Sequence, residues 1–171
     1  MGTDSSPSDL SGAVDGVSEG TVRTFHLDAL DPVEARDSDV RLTLPARPEN
    51  VSIIRHVLGA FAEALQLPEA VVEDVRLAVT EACTNVVRHA YDDGGTDPGP
   101  LEIVIRPEGE MLDVIVSDRG RGIGPSPDTT GPGLGLPLIA AIVDALEIQH
   151  APSAGSRLSM SFRCSPRMGV A

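Results

Sequence analysis

The sequence predicts an α/β fold of the α+β two-layer sandwich type, with one mixed sheet and helices on one of its faces. Three observations predict it. Two long stretches place apolar residues at helical spacing, several short stretches alternate apolar and polar residues, and their order is β-α-α-β-β-α-β-β. Residues 40–44 (VRLTL) alternate and end at Pro45, as a strand does. Val51, Ile54, Val57, Leu58, Phe61 and Leu65 then mark a helix with Asn50 as its expected N-cap. Pro68 opens a second helix, expected to run to about Tyr91, whose buried stripe is Val72, Val75, Ala78, Val79, Ala82 and Val86.

Residues 92–100 (DDGGTDPGP) read as a loop. Residues 101–106 (LEIVIR) and 111–117 (MLDVIVS) alternate on either side of a short turn, which predicts a hairpin. A connection rich in Gly and Pro spans 120–135. The apolar run 136–146 (LPLIAAIVDAL) predicts a buried helix with Pro137 in its first turn. Residues 147–150 and 156–163 form a closing hairpin.

Three regions are expected. Residues 1–39 form an acidic, largely disordered N-terminal extension, in which 22–27 have the pattern of a short strand. Residues 40–165 form the domain proper, and 166–171 a C-terminal tail. The extension carries nine acidic and two basic side chains, and the whole chain has a net charge of −13. That balance argues against nucleic acid as a partner, because phosphate contacts need clustered cations. No apolar run has the length of a membrane-spanning helix. Cys83 and Cys164 show neither zinc-ligand spacing nor a disulfide pattern, and a reducing cytoplasm is the simplest location. Cys83 reads as a small packed residue.

One absence narrows the chemistry. All thirteen basic residues are arginine. A P-loop requires a lysine on the nucleotide phosphates, and the usual protein-kinase fold requires a strand lysine. A nucleotide site in this chain has to be built another way.

Three segments carry candidate chemistry. On the second helix Glu81, Asn85 and Arg88 stand at i, i+4 and i+7, along one line of its surface. A carboxamide oxygen is a suitable hard ligand for Mg²⁺, and an adjacent carboxylate can act as a general base. Asp118 ends a strand and precedes Gly120 and Gly122. There it can accept a hydrogen bond from an exocyclic amino group, while the glycines allow close approach. Gly131, Gly133 and Gly135 lead into a helix, a junction that presents free N–H groups to an anion. Each segment also has an ordinary explanation, as a solvated helix face, a strand-ending turn and a flexible loop.

Together, Glu81-x-x-x-Asn85 with His89-Ala90-Tyr91, Asp118-x-Gly120-x-Gly122, and Gly133-Leu134-Gly135-Leu136 resemble the N, G1 and G2 boxes of the GHKL ATPase superfamily, which shares the Bergerat ATP-binding fold. The stretch from Ala78 to Asn85, with Arg88-His89-Ala90-Tyr91, resembles the small anti-sigma-factor serine kinases of bacteria. The resemblance covers roughly residues 40–164. It implies that Glu81 is the general base, that Asn85 binds Mg²⁺, and that Asp118 meets the adenine amino group. It further implies that Gly120 and Gly122 shape the adenine pocket, and that Gly133, Leu134 and Gly135 belong to a lid over the phosphates of ATP. Arg88 stands where relatives present a basic residue to those phosphates, and Ser156 where relatives place a hydroxyl near adenine. His89 is expected to be packed or on the ribose side. His26, His56 and His150 are expected to be structural or at the surface.

The function so implied is that of an ATP-dependent serine/threonine-protein kinase and anti-sigma factor. It would phosphorylate a small serine-bearing antagonist and, when free of it, sequester a sigma factor. Relatives of this kind form homodimers. The competing reading is a nucleotide-binding switch that sequesters a protein partner without phosphoryl transfer. Glu81 separates the two, since a pure binder needs no base.

Overall fold

The six strands of the computed structural model lie in the order β1-β5-β6-β4-β3-β2, so the first two strands of the sequence occupy opposite edges of one sheet. The structure describes residues 21–91, 98–121, 135–152 and 154–165. Its elements are β1 (Thr21–His26), β2 (Val40–Pro45), α1 (Pro48–Ala64), α2 (Glu69–His89), β3 (Pro100–Glu108), β4 (Met111–Asp118), α3 (Gly135–Ile142), β5 (Ala145–Ala151) and β6 (Gly155–Arg163). The β1–β5 pair is parallel and every other pair antiparallel, which makes the sheet mixed as expected.

Alternation in the strands decides which face is buried. Leu101, Ile103 and Ile105 of β3, Leu112, Val114 and Val116 of β4, and Leu158, Met160 and Phe162 of β6 point into the main core. The helices cover that face: α2 packs on β3, β4 and β6, α3 packs on β5, and α1 lies against α2. The stripe Val75, Ala78, Val79, Ala82, Cys83 and Val86 turns α2 toward the sheet. Burial pushes the Cys83 thiol up to about 12, so it behaves as a small apolar residue.

The N-terminal boundary differs from expectation. The sheet begins at Thr21 and not at Val40, because β1 adds to β5 in register from Thr21↔Ala145 to His26↔His150. With β1 and β2 at opposite edges, residues 27–39 have to cross the sheet, and they do so on the helix-free face. Arg157 holds the Asp31 carbonyl, Arg106 and Arg41 both hold the Glu34 carbonyl (2.8 and 2.6 Å), and Arg36 pairs with Glu108. At the end of the crossing Arg106 donates to both oxygens of Asp39, at 2.8 and 2.9 Å. That bond from Arg106 holds the Asp39 carboxyl well below the usual carboxylate range, and Asp39 in turn raises Arg106. Val104 and Ile115 are buried on this face although they lie outside the main core.

Two element ends also differ. Asn50 is not the cap of α1; Arg47 holds that position with Pro48 in the first turn, and the Asn50 amide donates to the Pro45 carbonyl at 2.7 Å. The third helix stops at Ile142 instead of running to Leu146. Asp144 turns the chain there, its N–H donating to the Ser161 carbonyl and its carboxylate accepting from Arg163 N–H, and β5 starts at Ala145. An apolar run of this length suits helix or buried strand equally, and the cross-strand partners in β6 decide it.

Candidate functional site

Glu81 and Asn85 sit one turn apart on α2, at the margin of its buried stripe, and both are half-buried. Among the described residues neither has a hydrogen-bonding or ionic side-chain partner. Arg88 continues the same line and is exposed. Gly135, the first residue of α3, lies against Asn85: a Cβ built there would come within 3.1 Å of Nδ2 and 3.3 Å of Oδ1. A side chain at Gly135 would therefore crowd the carboxamide.

The far wall is the end of β4. Asp118 is 3% exposed, and its carboxylate is fixed at both oxygens. The Gly120 N–H donates to Oδ1 at 2.8 Å, and the Ser156 hydroxyl donates to Oδ2. Ser156 stands opposite Asp118 in the β4–β6 pairing. Gly155 makes this approach possible: its φ is +104°, and a Cβ there would sit 2.0 Å from the Asp118 carbonyl oxygen.

The two walls are tied together. Arg121 N–H donates to the Ala90 carbonyl at 2.8 Å, and Gly120 lies so close to that oxygen that a Cβ would reach 1.9 Å from it. The Tyr91 hydroxyl donates to the Pro100 carbonyl at 2.6 Å and accepts from Arg119 N–H at 3.0 Å. Burial of the Tyr91 phenol pushes its pKa up, which keeps the proton that the first bond uses. The end of the Asn85 helix is thus pinned to the turn that follows Asp118.

Of the residues expected at the site, Glu81, Asn85 and Arg88 share one helix line, Gly135 adjoins Asn85, and Asp118, Gly120 and Ser156 form one hydrogen-bonded group. Gly122, Gly133 and Leu134 lie outside the described residues, as does Gly131. His89 is exposed at the end of α2 and so is not packed. His56 is exposed, with Nδ1 2.7 Å from the Ser52 carbonyl. The role of Tyr91 as a clamp is missed by sequence reasoning, which quotes the residue only as part of a motif. Nothing local reveals it, because its partners Pro100 and Arg119 are set by the sheet.

The donor set suits a purine nucleotide. A buried carboxylate with a serine oxygen beside it accepts from an exocyclic amino group. A lone carboxamide oxygen fits Mg²⁺, which keeps several waters and takes the rest of its shell from phosphates. Among the described residues no group of three or more His, Cys, Asp or Glu that could hold a metal occurs.

Because the chain contains no lysine, a nucleotide bound between the strand-end aspartate and the helical asparagine would have to be held without a P-loop. The chain is a member of the family of histidine kinase-like ATPase domains, whose model matches residues 44–162. It is 33% identical to the serine-protein kinase RsbW of Halalkalibacterium halodurans over 126 residues, which span 65% of this chain and 75% of that one. Against the RsbW of Bacillus licheniformis the identity is 34% over 125 residues, covering 64% and 77%. Among solved structures it resembles the RsbU and RsbW domains of Rv1364c from Mycobacterium tuberculosis, with a TM-score of 0.60 and 21% identity. That match covers 78% of this chain and spans about a third (34%) of the other, and it speaks for the fold.

Proposed function

We propose that the chain is an ATP-dependent serine/threonine-protein kinase acting as an anti-sigma factor, which phosphorylates a serine-bearing antagonist and sequesters a sigma factor when the antagonist is absent. The observation that carries this reading is the pair Glu81 and Asn85, one turn apart, half-buried and without side-chain partners among the described residues, with Gly135 against the carboxamide. The names of the relatives support the same activity.

In this reading the Asp118 carboxylate and the Ser156 oxygen orient the adenine amino group, and Gly120 gives the base room. Asn85 would hold Mg²⁺ through its side-chain oxygen, with Arg88 on the same helix line turned toward the phosphates. Bound Mg-ATP supplies the transferable phosphoryl group and neutralises part of its charge. The Glu81 carboxylate would accept the proton of the attacking serine hydroxyl. No helix among the described residues is long and apolar enough to cross a membrane, which accords with a cytoplasmic role, and the acidic balance of the chain accords with protein partners.

The test uses the full chain, labelled ATP and candidate antagonist domains. Transfer of label to an antagonist serine is expected from the unmodified protein. Glu81→Gln should retain nucleotide binding and lose transfer, whereas Asn85→Ala should lose Mg-dependent binding. If Glu81→Gln transfers label at the unmodified rate, the base assignment fails. If ATP binds but no label moves to any antagonist, the nucleotide-binding switch replaces the kinase.

A further inference from the structure

Beyond Ser156, the line of polar groups that starts at Asp118 continues into residues that the kinase reading leaves unused. Ser156 stands opposite His150 in the β5–β6 pairing, and His150 opposite His26 in the β1–β5 pairing. Directly paired residues project to the same face of a sheet. Asp118, Ser156, His150 and His26 therefore form one row across four strands, on the helix-bearing face. His150 is 9% exposed, and its Nδ1 is buried without a partner among the described residues. The His26 ring meets it edge to face, with centroids 5.8 Å apart. A buried ring nitrogen without a partner costs free energy. The register puts His150 one strand beyond Ser156, so a group that arrives with a ligand at Asp118 is a candidate partner for this atom.

The hydrogen-bond roles around this atom are already assigned. Asp118 accepts at both oxygens. Ser156 gives its only hydroxyl proton to Asp118, so its Oγ offers lone pairs alone. A purine that turns its amino group to Asp118 also presents ring nitrogens on either side of that group, and these are acceptors. Neither Asp118 nor Ser156 has a proton for them. The pocket as formed by this pair lacks a donor.

We propose that His150 is a base-specificity residue that closes this gap through one water. Its Nδ1–H donates to the water, which gives one hydrogen to Ser156 Oγ and the other to the adenine ring nitrogen next to the amino group. The water then makes three hydrogen bonds, the usual number for a buried one. The base completes the third bond of that water and fixes the network. His26, against the ring of His150, holds its orientation. This assignment rests on the ATP-binding reading of the site.

The experiment is calorimetric titration of the full chain with ATP, 1-deaza-ATP and 7-deaza-ATP, for the unmodified protein, His150→Phe and His150→Asn. The asparagine amide nitrogen takes the position of Nδ1. The unmodified protein is expected to bind 1-deaza-ATP about tenfold more weakly than ATP. His150→Phe should lose about the same factor for ATP and no longer distinguish ATP from that analogue, and His150→Asn should recover most of the difference. In the unmodified protein the His150 Nδ1–H resonance should become protected from solvent exchange when ATP is added. An unchanged deaza penalty in His150→Phe, or unchanged ATP affinity, overturns the assignment while leaving ATP binding intact. Absence of any adenine-nucleotide binding by the unmodified protein overturns both readings at once.

Discussion

Ser156 donates its hydroxyl proton to Oδ2 of Asp118 across the β4–β6 pair, so the carboxylate is oriented before any ligand arrives. The second oxygen is held by Gly120 N–H, and together they leave an acceptor surface of fixed direction. Asp118→Asn replaces one acceptor with a donor that opposes a base amino group. Nucleotide affinity should fall by about 100-fold or more. Ser156→Ala removes only the orienting bond and should cost about tenfold. Titration with a fluorescent adenine nucleotide checks both, with circular dichroism to confirm that the variants are folded.

Gly155 is the residue that lets the β5–β6 turn pass the Asp118 carbonyl. Gly155→Ala meets a backbone oxygen at 2.0 Å and a φ of +104° that side chains rarely adopt. The substitution should lower the unfolding free energy by about 3 kcal/mol, measured by urea denaturation. Addition of saturating nucleotide should restore little of it, because the strain lies within the binding wall itself.

Gly135→Ala should separate affinity from stability. The added methyl meets the Asn85 amide at 3.1 Å, a flexible side chain that can rotate away. Alanine is also the better helix former, by about 1 kcal/mol in a helix interior and less at this first position. The denaturation midpoint should therefore hold or rise slightly while Mg-dependent nucleotide binding weakens. Parallel loss of both would show that Gly135 does not act through Asn85.

Asp39 makes stability depend on acid. Its side chain is 1% exposed and its carboxyl titrates below the ordinary range, chiefly because Arg106 bonds to it. A depressed folded value means that the stabilisation is complete above the unfolded pKa of about 4 and declines as pH falls below it. Asp39→Ala should cost about 2 kcal/mol at neutral pH. That is less than for a pair with no other bonds, since Arg106 keeps the Glu34 carbonyl. The difference between variant and unmodified protein, followed by denaturation from pH 7 down to pH 2, should shrink below about pH 4.

The parts of the fold that sequence makes legible are those with local causes. The stripe of α2 and the alternation of β3 and β4 are each written in consecutive residues, and the structure keeps both, with Val71 buried in place of Val72 at the start of the stripe. The break after Ile142 is not local. Val143 N–H still bonds the Ile139 carbonyl, and it is Asp144 and Ala145 that leave the helix because Ser161 and Arg163 offer partners from a later strand. The short strand β1 is legible, but its place in the sheet is not, for a similar reason: all six of its residues are exposed, and among the described residues it pairs with β5 alone. At the site, Glu81, Asn85 and Asp118 are visible through spacing and resemblance. Tyr91 and His150 are not, because each acquires its place from strand register.

The β1–β5 pair has a consequence in time. Thr21 to His26 pair with Ala145 to His150, and no earlier segment of the chain offers β1 a partner strand. In synthesis from the N-terminus β1 is made before the other described elements, and its partner β5 appears only after the described helices have been produced. It cannot seed the sheet. It latches a domain already largely made, and its Val22 and Phe25 stay exposed even when it is seated.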